Sequence, residues 1–327
     1  MYICLPEITE EYDIKWMTGL LLTKCLMNGM HSLYILHIIL IIAVLMTSCF
    51  KDDESESLGE TSGFLPGDGI VTYSGYAPLA DRPVRIHFHI PVNGDMKKMP
   101  VLFVFPGLER NADDYLNAWR AEASNREVMV FVFEFPTETY STAQYIEGGM
   151  FQGNTLLDRS EWTFSLIESV FDTVRKDTGS SRNKYDVWGH SAGAQFVHRY
   201  VTFMLDTRVD RAVSANAGWY TLPDVDVAYP YGLKNTDVAT TSRVASLFAR
   251  KLIVHLGTAD TDRNGLNTSA GAEAQGANRY QRGKYYFSEA KRISTKDGCS
   301  LNWDKYEVAG VAHEYAKMAA AGAKILY

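Results

Sequence analysis

The feature that most constrains this chain is Gly189-His190-Ser191-Ala192-Gly193, set between the apolar run Tyr185-Asp186-Val187-Trp188 and a helix-like stretch from Gln195 to Val201. A G-x-S-x-G between a strand and a helix forms a sharp turn, in which glycines on either side let the backbone bend and lift the serine hydroxyl clear of the sheet. The same pentapeptide also fits an ordinary glycine-rich strand-to-helix turn. Its context must decide.

Val101-Leu102-Phe103-Val104-Phe105 and Val128-Met129-Val130-Phe131-Val132-Phe133 are short continuous apolar runs, the pattern of strands covered on both faces in a parallel sheet. Between them Asn111 can cap a helix over 112–123, with Asp114 three residues on in the manner of a capping box. Helical stretches at 162–176 and 194–205 flank the strand ending at Trp188, and 209–215, 251–256 and 303–308 read as further strands. Val84–Ile90 alternates with period two and is expected to pair antiparallel with 70–73, leaving His87 and His89 on a solvated face. This alternation predicts the α/β class: a mostly parallel, doubly wound sheet of about eight strands with helices on both faces. Residues 221–241 read as a long excursion above the sheet that shapes the pocket. No repeat or second domain is visible, and residues 67–327 are long enough to build one sizeable core.

The N-terminal part reads as an export device. Leu33–Met46 is an apolar run of 14 residues, short for a bilayer span and suited to the core of a signal segment, here 1–48. Glu7, Glu10, Glu11 and Asp13 do not fit a positive leader, so the start is expected at Met17, Met27 or Met30. Thr47-Ser48-Cys49 resembles the lipobox of bacterial lipoproteins, with Met46 where leucine is usual, which implies lipidation of Cys49. The acidic residues after it resemble the export signal of surface-exposed lipoproteins in some Gram-negative bacteria. The expected location is the cell envelope, at the outer membrane or cell surface; a plain secretory signal or an uncleaved anchor is the alternative. Residues 49–66 read as an acidic, Ser/Gly-containing tether. Beyond the tether Cys299 is the only thiol, which excludes an intramolecular disulfide and a thiolate zinc site. A net charge of −7 without a Lys/Arg cluster argues against nucleic acid as a partner.

A serine hydroxyl becomes a nucleophile when a histidine takes its proton and an acid orients that histidine. After the strand Leu252–Leu256 comes Gly257-Thr258-Ala259-Asp260-Thr261-Asp262, in which Asp260 is the first candidate acid and Asp262 the second. Downstream of Asp260 the sequence holds a single histidine, His313, after the last strand and a Gly-containing turn. His190, His198 and His255 are weaker candidates, the last a hydrogen-bonded core histidine by expectation. For an oxyanion, Ala192 N–H at a helix start and Leu108 N–H in the loop after 101–105 are the expected donors.

Gly107–Tyr115, Gly189–Arg199, Gly257–Asp262 and Gly310–His313 together resemble bacterial α/β-hydrolases of the esterase group that includes polyhydroxybutyrate-depolymerase-like and feruloyl-esterase-like proteins. The resemblance runs from about Thr72 onward and implies the α/β-hydrolase fold and a serine esterase with Ser191, His313 and Asp260 as its triad. This chain has Pro106 where the family usually has histidine, a departure that bears on the shape of the oxyanion loop but removes none of its backbone donors. Gly107 and His190 are expected to line the substrate site, and Trp219 and Tyr220 to form an aromatic wall unless they pack into the core. No cofactor or metal is implied. The expected substrate is an ester, small or carried on a polysaccharide as acetyl or feruloyl groups. A serine peptidase and a non-catalytic surface binding protein on a hydrolase scaffold are the alternatives.

Overall fold

Alternate residues of a strand point to opposite faces of its sheet, so a strand apolar at every position needs cover on both sides. The structure, a computed structural model that describes residues 58–327, supplies that cover with helices on the two faces of an eight-stranded sheet. The expected signal segment, Cys49 and the acidic residues after it lie outside the described residues. In chain order the strands are β1 (Gly67–Tyr73), β2 (Val84–Ile90), β3 (Val101–Phe105), β4 (Met129–Glu134), β5 (Phe151–Gln152), β6 (Thr155–Leu156), β7 (Tyr185–His190), β8 (Val209–Ala215), β9 (Lys251–Gly257) and β10 (Asp304–Val308). β5 and β6 form a small ribbon of their own. The others run β1-β2-β4-β3-β7-β8-β9-β10 across the sheet. β1, β2 and β4 pair antiparallel, and from β4 to β10 every pairing is parallel.

The helices are α1 (Ala112–Arg126), α2 (Thr142–Ile146), α3 (Leu166–Thr178), α4 (Ala192–Phe203), α5 (Thr241–Phe248), α6 (Ala270–Glu273), α7 (Arg279–Lys296) and α8 (Tyr315–Leu326). α1 and α8 cover one face, where Leu116, Trp119, Met318 and Leu326 meet Leu102, Val104, Val130 and Trp188. α3, α4, α5 and α7 cover the other, on which Phe103, Phe105, Phe131 and Val187 point. Phe105 stacks on Phe133 and Phe196 at 5.0 and 4.2 Å between ring centres. The central strands therefore run between two packed layers. Among the described residues no helix is long and apolar enough to cross a membrane.

Four expectations need correction. His87 is not solvated: α1 and β4 bury it, with Nδ1 2.7 Å from Asp113 Oδ1 and Nε2 2.6 Å from Glu134 Oε2. His89 is partly covered and bound to Asp68 and Ser124. Asn111 does not cap α1 with its side chain; its amide donates to Asp114 Oδ2 at 2.6 Å. The 162–176 stretch opens as short 3₁₀ turns, and the α-helix starts only at Leu166. The stretch up to Pro66 is not tether throughout, because Thr61 N–H donates to Ile70 O at 2.8 Å and Phe64 is fully buried edge-on to Phe88 and Phe131.

Phe64 thus closes the core beside the antiparallel edge of the sheet. Phe64→Ala is expected to lower unfolding free energy by about 3–5 kcal/mol in a denaturant titration. A midpoint equal to that of the wild type would mean that this segment only tethers.

Candidate active site

β7 is buried throughout and ends at His190; Ser191 follows at φ 58° and ψ −115°, and α4 begins at Ala192. The unusual backbone angle belongs to the serine itself. The flanking glycines are needed for a different reason, close approach: a Cβ on Gly193 would lie 1.8 Å from Phe105 O, and one on Gly189 would lie 2.2 Å from Gly193 O. Neither contact is possible for a larger residue without moving backbone. Ser191 N–H donates to Ala215 O at 2.9 Å, which ties the turn to the neighbouring strand.

The two partners arrive from loops at the same edge of the sheet. Asp260 lies in the turn after β9, its N–H bonded to Gly257 O, and His313 lies in the turn after β10. His313 Nδ1 is 2.7 Å from Asp260 Oδ2, and His313 Nε2 is 2.9 Å from Ser191 Oγ. An ionised carboxylate can only accept, so Nδ1 donates to Asp260 and Nε2 is left to accept from the serine hydroxyl. Asp260 is fully buried and His313 is 29% exposed, so the carboxylate is shielded from water while the imidazole is partly open to it. Asp262 is not part of this set. It is exposed, and its carboxylate takes the N–H and the amide of Asn264.

Asn216, which the sequence reading passed over, holds the two loops together. It is buried after β8 in the left-handed region (φ 52°), accepts from Gly257 N–H at 2.7 Å and donates to Ala312 O at 3.2 Å. Its own N–H donates to His255 O. The available signal was an asparagine directly after a strand, since asparagine tolerates left-handed backbone better than most residues.

The loop after β3 supplies the other wall. A Cβ built on Gly107 would stand 3.8 Å from Ser191 Cβ, so the backbone there runs beside the serine. Tyr145 O–H donates to Pro106 O at 2.7 Å, and Arg110 donates to Phe135 O while lying 4.0 Å over the Tyr145 ring. These residues prop the loop that carries Pro106. Leu108 is 56% exposed and its N–H donates to no group among the described residues. Ala192 N–H opens α4 and has no acceptor within the helix. Two free donors thus flank the serine.

Three residues expected at the substrate are elsewhere. His190 is buried beneath His313, 4.5 Å between ring centres, with Nδ1 3.0 Å from Tyr115 Oη. Burial, reinforced by His313, pushes its pKa well below the usual imidazole range and keeps it neutral. Tyr220 is fully buried and stacks on Tyr286. Trp219 is almost fully buried, with the Arg199 guanidinium 4.0 Å over its ring. Both serve the core, because the loop after β8 folds down onto α4 and α7 rather than standing above the sheet. His255 is buried as expected, but neither ring nitrogen has a partner among the described residues, and desolvation lowers its pKa to about 4. His198 is a satisfied core histidine, bonded to Ala194 O and Thr221 N–H.

A mostly parallel sheet, a strained serine between strand and helix, and a histidine and aspartate from two later loops define an α/β-hydrolase. No protein-family model matches the sequence, and no curated protein does. Solved structures do match. Poly(aspartic acid) hydrolase-1 from Sphingomonas sp. KT-1 is 34% identical with a TM-score of 0.77, over 80% of this chain and 99% of its own. A poly(3-hydroxybutyrate) depolymerase from Bordetella parapertussis is 27% identical with a TM-score of 0.77, over 80% and 90%. An S-formylglutathione hydrolase from Agrobacterium tumefaciens, 15% identical with a TM-score of 0.54, shares the fold. The chain belongs to the α/β-hydrolase family that includes poly(aspartic acid) hydrolase-1, and it is a hydrolase.

Asn216→Ala leaves the Gly257 N–H and the Ala312 carbonyl without their partner, an expected loss of about 1–3 kcal/mol in stability. Asn216→Gly keeps the left-handed backbone but not the clamp. Equal losses in the two variants by denaturant unfolding would assign the effect to hydrogen bonds; a loss in Asn216→Ala alone would assign it to backbone strain.

Proposed function

We propose that the protein is a serine esterase that cleaves carboxylic esters through an acyl-serine intermediate. The observation that carries the reading is His313, within hydrogen-bond distance of Ser191 Oγ on one ring nitrogen and of buried Asp260 on the other. As Ser191 Oγ attacks the ester carbonyl, His313 Nε2 takes its proton, and the alcohol leaves with that proton. Asp260 fixes the imidazole tautomer and stabilises the imidazolium. The N–H groups of Leu108 and Ala192 hold the oxyanion, assisted by the positive end of α4; removing one such donor typically costs about 10²–10³ in rate. Water then attacks the acyl-serine with His313 again as base.

The Leu108 side chain, exposed beside Gly107, offers an apolar contact to the substrate. Cys49 and the acidic residues after it support a surface lipoprotein anchored in the membrane by lipid, and such a location suits a polymeric substrate that cannot enter the cell. The poly(3-hydroxybutyrate) depolymerase relative acts, by its name, on a polyester, and ester groups on acetylated or feruloylated polysaccharide are the other class to test. One observation favours a second reading, amide hydrolysis: the 34% identical relative is named for poly(aspartic acid), a polymer joined by amides. In that case His313 protonates a leaving amine.

The test is turnover of 4-nitrophenyl acetate, butyrate and octanoate, methyl ferulate and poly(aspartic acid) by residues 58–327, with Ser191→Ala beside it. Ester turnover that falls by at least about 10³-fold in the variant is the expected result. Turnover unchanged by Ser191→Ala would refute the assignment. Release from poly(aspartic acid) without release from any ester would move the activity to amides.

A further inference from the structure

The second oxygen of the triad acid leads to a residue outside the three. Asp260 is fully buried, and while Oδ2 meets His313, Oδ1 has no hydrogen-bond donor among the described residues. A buried carboxylate oxygen left without a donor carries a large desolvation penalty unless a positive charge stands near it. The nearest cation is Arg279, the first residue of α7, whose Nη1 is 3.6 Å from Asp260 Oδ1 and donates to Asp262 O at 3.4 Å. An arginine is poorly placed at a helix N-terminus, where the helix dipole repels positive charge. The carboxylate compensates for that placement.

The neighbouring charges have other partners. Arg282, one turn on, is bound to Glu273, Gly276 O and Gly218 O. Arg263 is bound to Glu273 and Ala277 O. Tyr220 is buried near Asp260 with its own hydroxyl protonated, and burial keeps both His190 and His255 neutral. Asp260 is therefore faced by two groups that carry or acquire positive charge, His313 on one side and Arg279 on the other.

Resting on the assignment of Ser191, His313 and Asp260 as the catalytic set, we propose that Arg279 is a positioning residue for this reaction: it holds the Asp260 carboxylate in register with His313 and shares its charge. Two consequences follow from one contact. The carboxylate cannot rotate away from Nδ1, and the imidazolium formed during attack is less favoured than it would be beside an unshared carboxylate, because the guanidinium is a like charge nearby.

The experiment compares wild type, Arg279→Met and Arg279→Lys. The His313 ring is followed by ¹⁵N–¹H NMR across pH, and kcat and KM for 4-nitrophenyl butyrate are measured across the same range. In Arg279→Met the midpoint of the His313 titration and the acid limb of kcat/KM are expected to move up together by about one pH unit. At the same time kcat falls by about tenfold or more while KM stays within about twofold. Arg279→Lys restores the limb. Coincident titrations in wild type and Arg279→Met would overturn the proposal, as would a loss of kcat without any shift in the acid limb, which is what a purely structural role gives. If Arg279→Met does not fold, Arg279→Gln supplies the neutral comparison. The ring titration does not depend on turnover, so a shifted titration in a protein whose ester turnover survives Ser191→Ala would refute the esterase and leave the Arg279 contact standing.

Discussion

The site depends on one steric contact, the close approach of the start of α4 to the end of β3. Gly193 passes so near Phe105 O that no side chain fits, and Gly189 is as close to Gly193 O. Ser191 is consequently held at a backbone angle that typically costs about 1–3 kcal/mol, and its hydroxyl is fixed at the top of the central strand. The same contact sets β3 and β7 at a fixed distance, so the Pro106–Leu108 backbone and the serine form a single rigid edge. A catalytic group can be positioned to a fraction of an ångström only when its backbone has no alternative.

The remaining loops have little regular structure and are held by buried polar groups instead. Asn216 joins the turns that carry Asp260 and His313, and Tyr145 holds the Pro106 carbonyl. The buried arginines do similar work: Arg110 takes Phe135 O, Arg199 takes Ile146 O and Gln195 O, and Arg282 takes Gly218 O and Gly276 O. The Pro106, Phe135, Ile146, Gly218 and Gly276 carbonyls lie in loops or at a helix end, where an unpaired buried acceptor is costly. Arginine suits this task because its planar fork reaches several acceptors at once.

Much of this was legible in the sequence, and the reason is local. The apolar runs of β3 and β4 declare cover on both faces by themselves, and Ser191, Asp260 and His313 each sit within five residues of the end of a readable strand. What stayed hidden depends on contacts far apart in sequence. His87 lies on an alternating strand that looks half-exposed, yet Asp113 and Glu134, from α1 and β4, close over it. Trp219 and Tyr220 have the composition of a binding wall, and only the fold of the segment after β8 onto α4 and α7 puts them inside, while His190 is covered by Tyr115, His313 and Tyr315. Phe64, in a stretch rich in acidic and small residues, gives no sign in sequence that it completes the core. Arg279 reads as an ordinary helix residue until its neighbour across the turn is known.

The most direct measurement is intact-mass and peptide-mapping mass spectrometry after exposure of the protein to a fluorophosphonate, which reacts with a serine only where a neighbouring base activates it and an oxyanion site receives the phosphoryl oxygen. A single adduct per chain is expected, on Ser191, that disappears in His313→Ala. An adduct on another residue, or none from folded protein, would contradict the claim that these residues form a working nucleophilic site.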